Sequence, residues 1–180
     1  MCSSDLTTHT PTRREDVRDP IGITGWPKEK GRDGERTPMQ WTPNPPAAGF
    51  STNAHTWLPI GADYPTVNVD IETGQPDTLL TWTHDLIDLR RSYRALHDGG
   101  IVMLDPTNPS VLSYVRKAPD GSAILVSLNF TAQYQTVHLD LAAAGVGNHY
   151  TWVHMDAPVE LHGLTTFTLP PYASLIAGVQ

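Results

Sequence analysis

Hydrophobic residues recur every three or four positions between residues 77 and 97, and this spacing predicts one amphipathic helix. The apolar stripe consists of Leu79, Trp82, Leu86, Leu89, Tyr93 and Leu96. Asp77 is the expected N-cap of this helix and Gly99 its expected stop. A stripe of this width needs a large apolar partner, and the chain contains no second helical pattern of comparable strength.

After residue 100 the pattern changes to short runs of Val, Ile, Leu, Tyr and Thr that are separated by turn residues. Such runs predict β-strands, and the Pro, Gly, Asn and Asp between them predict turns. The seven runs are IVML, VLSYVRK, SAILVSLNF, YQTVHLDL, HYTWVHM, TTFTL and YASLIAGV. Their length and spacing predict an antiparallel β-sandwich of about 80 residues.

Residues 1–75 have almost no hydrophobic period and are rich in proline. A stretch of this length without regular structure is usually functional or disordered. Function is favoured, because this stretch carries apolar anchors that a plain linker lacks. These are Trp26, Met39, Trp41, Phe50, Trp57, Leu58 and Tyr64.

The composition excludes several classes of protein. With 39% hydrophobic and 17% charged residues, the 180-residue chain can form a packed core. Its net charge of -7 argues against nucleic-acid binding, which needs a basic surface. Because Cys2 is the single cysteine and no apolar run approaches the length of about 20 residues that spans a membrane, we expect a cytoplasmic protein without membrane contact.

The N-terminal segment MCSSDLTTHTPTRREDV has no apolar region typical of a secretory signal. It does not resemble the start of a domain either, because small polar residues lead directly into the proline-rich stretch. We expect either a disordered N-terminus or a chain that begins inside a larger protein.

Two carboxylate pairs are candidates for acid–base chemistry: Asp33 with Glu35, and Asp85 with Asp88. The first pair lies in a loop where no regular period holds both side chains on one side. The second pair lies on the polar side of the predicted helix, where solvation is the ordinary role of a carboxylate. A structural or surface role is therefore favoured for all four residues.

Metal and covalent chemistry have no recognisable motif in the chain. His149, His154 and His162 lack the spacing of zinc ligands, and there is no P-loop, GxGxxG or GxSxG motif. Asn129-Phe130-Thr131 matches a glycosylation sequon, but an ordinary strand end is the favoured interpretation. We expect no metal and no cofactor.

GRDGERTPMQW, residues 31–41, contains the densest group of charges. Arg32 and Arg36 flank Asp33 and Glu35. An arginine fork can donate to sugar hydroxyls or to a carboxylate. It can equally form an ion pair that braces the loop, and the residue types alone leave both roles open.

DPIGITGWPKEKGRDGERTPMQWTPNPPAAGFS closely resembles a signature of the α-glucosidase, or oligo-1,6-glucosidase, branch of glycoside hydrolase family 13, the α-amylase family. The resemblance continues through WLPIGADYPTVNVD and the predicted helix to the closing LPPYASLIAG. It covers residues 14–180.

This resemblance implies a division of the chain into two parts. Residues 1–98 would be the C-terminal remnant of a (β/α)8 barrel, with a long loop after strand eight and the final helix at residues 77–97. Residues 99–180 would be the β-sandwich domain that follows the barrel. The apolar stripe of the helix would lack a partner because the rest of the barrel is absent.

The family's chemistry is retaining hydrolysis by an Asp nucleophile, a Glu acid–base and a second, stabilising Asp. All three would lie upstream, so no catalytic residue is assigned here and the isolated chain is expected to be inactive. Arg32 would bind the terminal non-reducing glucose of an α-glucoside, whereas Asp33, Arg36 and Gln40 would brace the loop. The exposed helix stripe would promote self-association of the chain.

Two alternatives remain open. A transglucosylating or isomerising relative, of the trehalose synthase or sucrose isomerase type, shares the RTPMQW motif. A non-catalytic β-sandwich module could instead bind carbohydrate or a partner protein. Tyr150 and Trp152 are its candidate exposed aromatic residues.

Overall fold

The computed structural model describes residues 10–180. The chain divides into two compact units, Met1–Asp85 and Leu86–Gln180. The division between them falls inside the predicted helix.

The N-terminal unit consists of short helices joined by long loops, and its described residues form no strand. Helices α1 and α2 span Pro20–Gly25 and Val69–Glu72, and 3-10 turns span Arg14–Asp16 and Asp33–Arg36. Helix α3, Leu79–Ser92, starts in this unit and crosses into the next.

The expectation that large apolar residues anchor this unit is wrong for three of them. Leu58 is buried, but Trp41, Phe50 and Trp57 are 48%, 51% and 65% exposed. The other buried hydrophobic residues within residues 10–85 are small: Val17, Ala47 and Ala48. Buried polar contacts therefore help to hold this unit together. Self-association is still expected, but because of these exposed apolar side chains and not because of the helix stripe.

The predicted helix is present, but it is shorter and is interrupted. Helix α3 ends at Ser92, and Tyr93 and Arg94 are not part of a helix. A short helix α4, Ala95–Asp98, follows and ends before Gly99 as predicted. The prediction of Asp77 as N-cap is wrong, because the Thr78 hydroxyl accepts the Thr81 N–H at 3.2 Å.

The C-terminal unit contains all seven predicted strands. They are β1 Gly100–Leu104, β2 Val111–Lys117, β3 Ala123–Asn129, β4 Gln135–His138, β5 Tyr150–Met155, β6 Thr166–Leu169 and β7 Ser174–Val179. A five-stranded sheet has the order β1-β2-β3-β7-β5, and a two-stranded sheet pairs β4 with β6. Every pairing is antiparallel, as predicted for a sandwich.

The main core lies between the two sheets. Leu125 and Leu175 of the larger sheet and Val137, Phe167 and Leu169 of the smaller sheet belong to one buried cluster. Side chains alternate along β2, where Val111, Ser113 and Val115 are buried and the residues between them are partly exposed. Strand β3 is buried on both faces, which explains its unbroken apolar run AILV.

The other face of the larger sheet is covered by the second half of the predicted helix. Leu86, Leu89, Tyr93 and Leu96 pack against a cluster that contains Ile124, Val126 and Ile176. The ring centroids of Tyr93 and Trp152 are 4.6 Å apart. The expectation that the stripe lacks a partner is thus wrong for its C-terminal half, because the sheet itself supplies that partner.

Candidate functional site

The loop at residues 31–41 is positioned by its first glycine. Gly31 has a φ of 68°, which is in the left-handed region that glycine favours. A Cβ atom at this position would also lie 2.7 Å from the side chain of Asp19. Gly31 therefore allows the loop to approach Asp19 closely before it enters the 3-10 turn Asp33–Arg36.

Asp33 joins this loop to the segment before α1. Its side chain is fully buried, and Oδ2 accepts the backbone N–H groups of Arg18 at 2.6 Å and Asp19 at 2.9 Å. A buried carboxylate with this role holds the backbone and is not free to attack a substrate.

Asp19 connects the same two segments, because its side chain contacts both the start of α1 and the loop at residues 31–41. Its Oδ1 accepts the Ile21 N–H at 2.9 Å and thereby caps α1, which begins with Pro20. Its Oδ2 accepts the Arg32 N–H at 3.0 Å and an Arg36 guanidinium N–H at 3.1 Å. The N–H of Arg32, followed by that of Ile21 and the charge of Arg36, holds the pKa of Asp19 below its ordinary value. The carboxylate is therefore ionised at neutral pH.

Arg36 and Gln40 also make bracing contacts. Arg36 forms the ion pair with Asp19 and lies 4.0 Å from Oδ1 of Asp33. Gln40 is fully buried, and its Nε2 donates to the carbonyl of Val67 at 2.6 Å. The N–H of Val69 in turn donates to the Gln40 carbonyl at 3.0 Å, which ties the loop to α2.

Arg32 differs from Arg36. Its backbone is held by Asp19, but its side chain is exposed and forms no hydrogen bond or ion pair with any residue in the range 10–180. The Arg36 guanidinium forms an ion pair, whereas the Arg32 guanidinium is exposed to solvent. The glucose-binding role of Arg32 stays a prediction.

The structure does not bring the candidate carboxylates together as a catalytic pair. Asp33 is buried, whereas Glu35 in the same turn is exposed. Asp85 and Asp88 are exposed on α3, where Asp88 lies 3.5 Å from Arg91. These are the structural and surface roles that the sequence favoured.

The described histidines do not form a metal site with other ligand types. Across residues 10–180, no group of three or more His, Cys, Asp or Glu residues could hold a metal ion, and this covers His149, His154 and His162. In the same range, no helix is both long enough and apolar enough to cross a membrane. Cys2 and the segment MCSSDL lie outside the described residues.

Asn129 of the sequon has a structural role at the end of β3. It is buried, its Nδ2 donates to the carbonyls of Gln133 at 2.8 Å and Pro170 at 2.7 Å, and its Oδ1 accepts the Thr131 N–H at 2.9 Å. This amide ties two turns together and is inaccessible to a glycosyltransferase, so the strand-end interpretation is confirmed.

The two aromatic residues proposed for a binding module have different environments. Tyr150 is 43% exposed, whereas Trp152 is only partly exposed and packs against the helix cluster. The more exposed aromatic residues of this unit are Phe130, Tyr134 and Tyr172, at the ends of the sandwich strands. The sequence pattern gave no signal for them.

Asp19 is the functional-site residue that sequence reasoning missed. A signal was present, because an aspartate directly before a proline is typical of a helix N-cap followed by N1. Its contacts with Arg32 and Arg36, by contrast, join positions 13 and 17 residues apart, and no local pattern reveals them.

Two family models match the chain. The model of the alpha amylase catalytic domain matches residues 6–99, and that of the maltogenic amylase C-terminal domain matches residues 101–176.

Similar proteins include both synthases and glucosidases. Trehalose synthase/amylase TreS of Mycobacterium tuberculosis is 38% identical over 144 residues, which are 76% of this chain and 22% of that protein. The probable oligo-1,6-glucosidase 2 of Bacillus subtilis is 35% identical over 60% of this chain and 18% of its own length. The crystal structure of the trehalulose synthase MutB from Pseudomonas mesoacidophila MX-45 superposes with a TM-score of 0.79 and 27% identity over 97% of this chain and 34% of that one.

The chain spans about a fifth of the length of these curated relatives. Its GRDGERTPMQW loop, its last helices and its antiparallel sandwich all lie within the matched regions. The chain belongs to the α-amylase family, glycoside hydrolase family 13, and comprises part of its catalytic domain and its C-terminal β-sandwich.

Proposed function

We propose that this chain is the C-terminal part of a retaining α-glucosidase that releases terminal α-linked glucose from oligosaccharides. The observation that carries the proposal is the Arg32 side chain, which is unpaired within residues 10–180 and stands on a loop braced by two buried carboxylates. A guanidinium held in this way can donate two hydrogen bonds to adjacent hydroxyls of a glucose ring.

The backbone of Arg32 is fixed before a substrate arrives. Asp19 accepts its N–H at 3.0 Å, and the next residue, Asp33, is fully buried. Little backbone order is then lost when the guanidinium binds a sugar, and such preorganisation favours both binding and orientation. The nucleophile, the acid–base and the stabilising carboxylate would come from barrel strands upstream of this chain.

A transglucosylating or isomerising activity is the second candidate. It is favoured by the similarity to a trehalose synthase/amylase and by the superposition on a trehalulose synthase. Both activities share a glycosyl-enzyme intermediate and differ in the acceptor that attacks it. Arg32 would hold the glucosyl group in the same way for either acceptor.

The 180-residue chain alone is expected to turn over no α-glucoside, because the exposed and backbone-bonded carboxylates described above cannot supply a nucleophile and an acid. The test compares the purified chain with the protein that includes the upstream barrel, using p-nitrophenyl α-glucoside, maltose and sucrose as substrates. We expect glucose release from the longer protein only. Trehalose or an isomer of sucrose as the main product would replace the hydrolase with the second candidate, and turnover by the pure chain would contradict both.

A further inference from the structure

An open cavity of about 390 Å³ lies in the N-terminal unit, outside the Arg32 loop. Its lining includes Asp16, Arg18, His55 and Trp57. We propose that this cavity binds one pyranose ring of a gluco-oligosaccharide, with Trp57 as the stacking surface and Arg18 as the hydrogen-bond donor. The proposal rests on the proposed function for the choice of a glucoside as ligand.

Arg18 is held in place by three contacts. Its backbone N–H donates to Asp33, its Nη1 donates to the Glu15 carbonyl at 2.8 Å, and its Nε donates to the Trp57 carbonyl at 3.3 Å. Its Nη2 makes no hydrogen bond to a residue in the range 10–180. Arg18 is therefore an ordered side chain with donors left for a ligand.

Trp57 is 65% exposed although the next residue, Leu58, is 1% exposed. The backbone at Trp57 is fixed because its carbonyl accepts from Arg18 and the Leu58 carbonyl accepts from Thr56 Oγ1 at 2.5 Å. A large aromatic ring on a fixed backbone, exposed at the wall of a cavity, is typical of a ligand-binding site.

The polar groups of the cavity fit a neutral polyol better than an ion. Arg18 donates hydrogen bonds, and Asp16 supplies carboxylate oxygens that are already oriented by Arg13 at 2.8 Å. A ligand anion would meet the charge of Asp16, and a ligand cation would meet that of Arg18. Sugar hydroxyls both donate and accept, and the apolar C–H face of the ring can lie against Trp57. The volume is also in the range of small-ligand sites, about 300–1,000 Å³.

The cavity and the Arg32 loop share one scaffold. Oδ2 of Asp33 accepts from Arg18, and the residue before Asp33 is Arg32. A longer glucoside chain bound at Arg18 and Trp57 would thus contact a segment that is hydrogen-bonded to the loop of Arg32, the predicted glucose-binding residue.

The test measures binding by the 180-residue chain and needs no catalysis. The protein is labelled with 5-fluorotryptophan, the Trp57 resonance is assigned with Trp57→Phe, and maltotriose is added while fluorine NMR is recorded. We expect saturable movement of the Trp57 resonance with a Kd of about 1 mM. Trp57→Ala should weaken binding at least about tenfold in calorimetry, which corresponds to the loss of about 1.4 kcal/mol.

The matched control is Phe50→Ala, which removes another exposed aromatic side chain of the same unit that lies outside the 31–41 loop and does not line the cavity. Its Kd should stay within about twofold of the parent value. Arg18→Lys keeps the charge but removes the paired N–H donors of the guanidinium, and it should weaken binding about threefold. This second variant tests the cavity independently if Trp57→Ala alters folding.

An unmoved Trp57 resonance at about 50 mM maltotriose, or equal affinities for Trp57→Ala and the parent, would overturn the cavity assignment. That failure is separate from failure of the proposed function. Turnover by the longer protein depends on Arg32 and the upstream carboxylates and can be intact when the cavity binds nothing.

Discussion

Replacing Asp33 with alanine is expected to lower the free energy of unfolding of the N-terminal unit by about 3–5 kcal/mol. The change removes a fully buried carboxylate that accepts two backbone N–H groups, at 2.6 and 2.9 Å. Each hydrogen bond to a charged group contributes about 1.5–3 kcal/mol, and a buried donor without an acceptor adds a desolvation penalty. Urea unfolding followed by tryptophan fluorescence measures the loss.

Glu35→Ala is the matched control for this prediction. Glu35 is an exposed acidic residue in the same 3-10 turn, so its removal should change the unfolding free energy by less than about 0.5 kcal/mol. Equal urea midpoints for the two variants would show that the buried Asp33 carboxylate does not stabilise this unit.

Arg32→Ala is expected to lower kcat/KM of the longer protein for α-glucosides by about 100-fold. A factor of 100 corresponds to about 2.7 kcal/mol, which is the loss expected for two hydrogen bonds from a charged donor to a substrate. Stability should be almost unchanged, since the Arg32 side chain makes no hydrogen bond or ion pair in the described part of the chain. Steady-state kinetics together with the urea midpoint separate the two effects.

Lys28→Ala serves as the charge control, because Lys28 is an exposed cation of the same unit outside the loop. Its kcat/KM should stay within about twofold of the parent, as expected for a surface charge that does not contact the substrate. If Arg32→Ala behaves like Lys28→Ala, then Arg32 is not a glucose contact.

The β-sandwich could be predicted from the sequence because its signals are local. Each strand is a run of β-branched and aromatic residues bounded by turn residues, so all seven appear within a few residues of their expected positions. The order of the strands in the sheet, in which β7 lies between β3 and β5, depends on long-range pairing and could not be predicted in the same way.

The helix could be predicted only in part. Its period is local, but its interruption at Tyr93 accompanies tertiary contacts: Tyr93 lies against Trp152, and Ala95 is fully buried in the cluster beneath. These contacts come from residues distant in the chain, which the apolar period of the segment does not reveal.

The family resemblance predicted the role of the loop at residues 31–41, but the residues of the loop did not predict its conformation. Its order depends on Asp19 and Val67, which lie 13 residues before Arg32 and 27 residues after Gln40. Residue types alone could not distinguish Arg36, which is paired with Asp19, from Arg32, whose side chain is exposed. The family resemblance assigns different roles to the two arginines, and the folded structure shows the contacts that separate them.

The most direct test of the account is to read the coding sequence immediately upstream of Met1 in the source DNA. We predict an in-frame segment that encodes the preceding barrel strands and carries the nucleophilic aspartate, the acid–base glutamate and the stabilising aspartate. An in-frame stop codon directly before Met1, with no barrel upstream, would contradict the glucosidase proposal and leave a carbohydrate- or partner-binding module as the function of this chain.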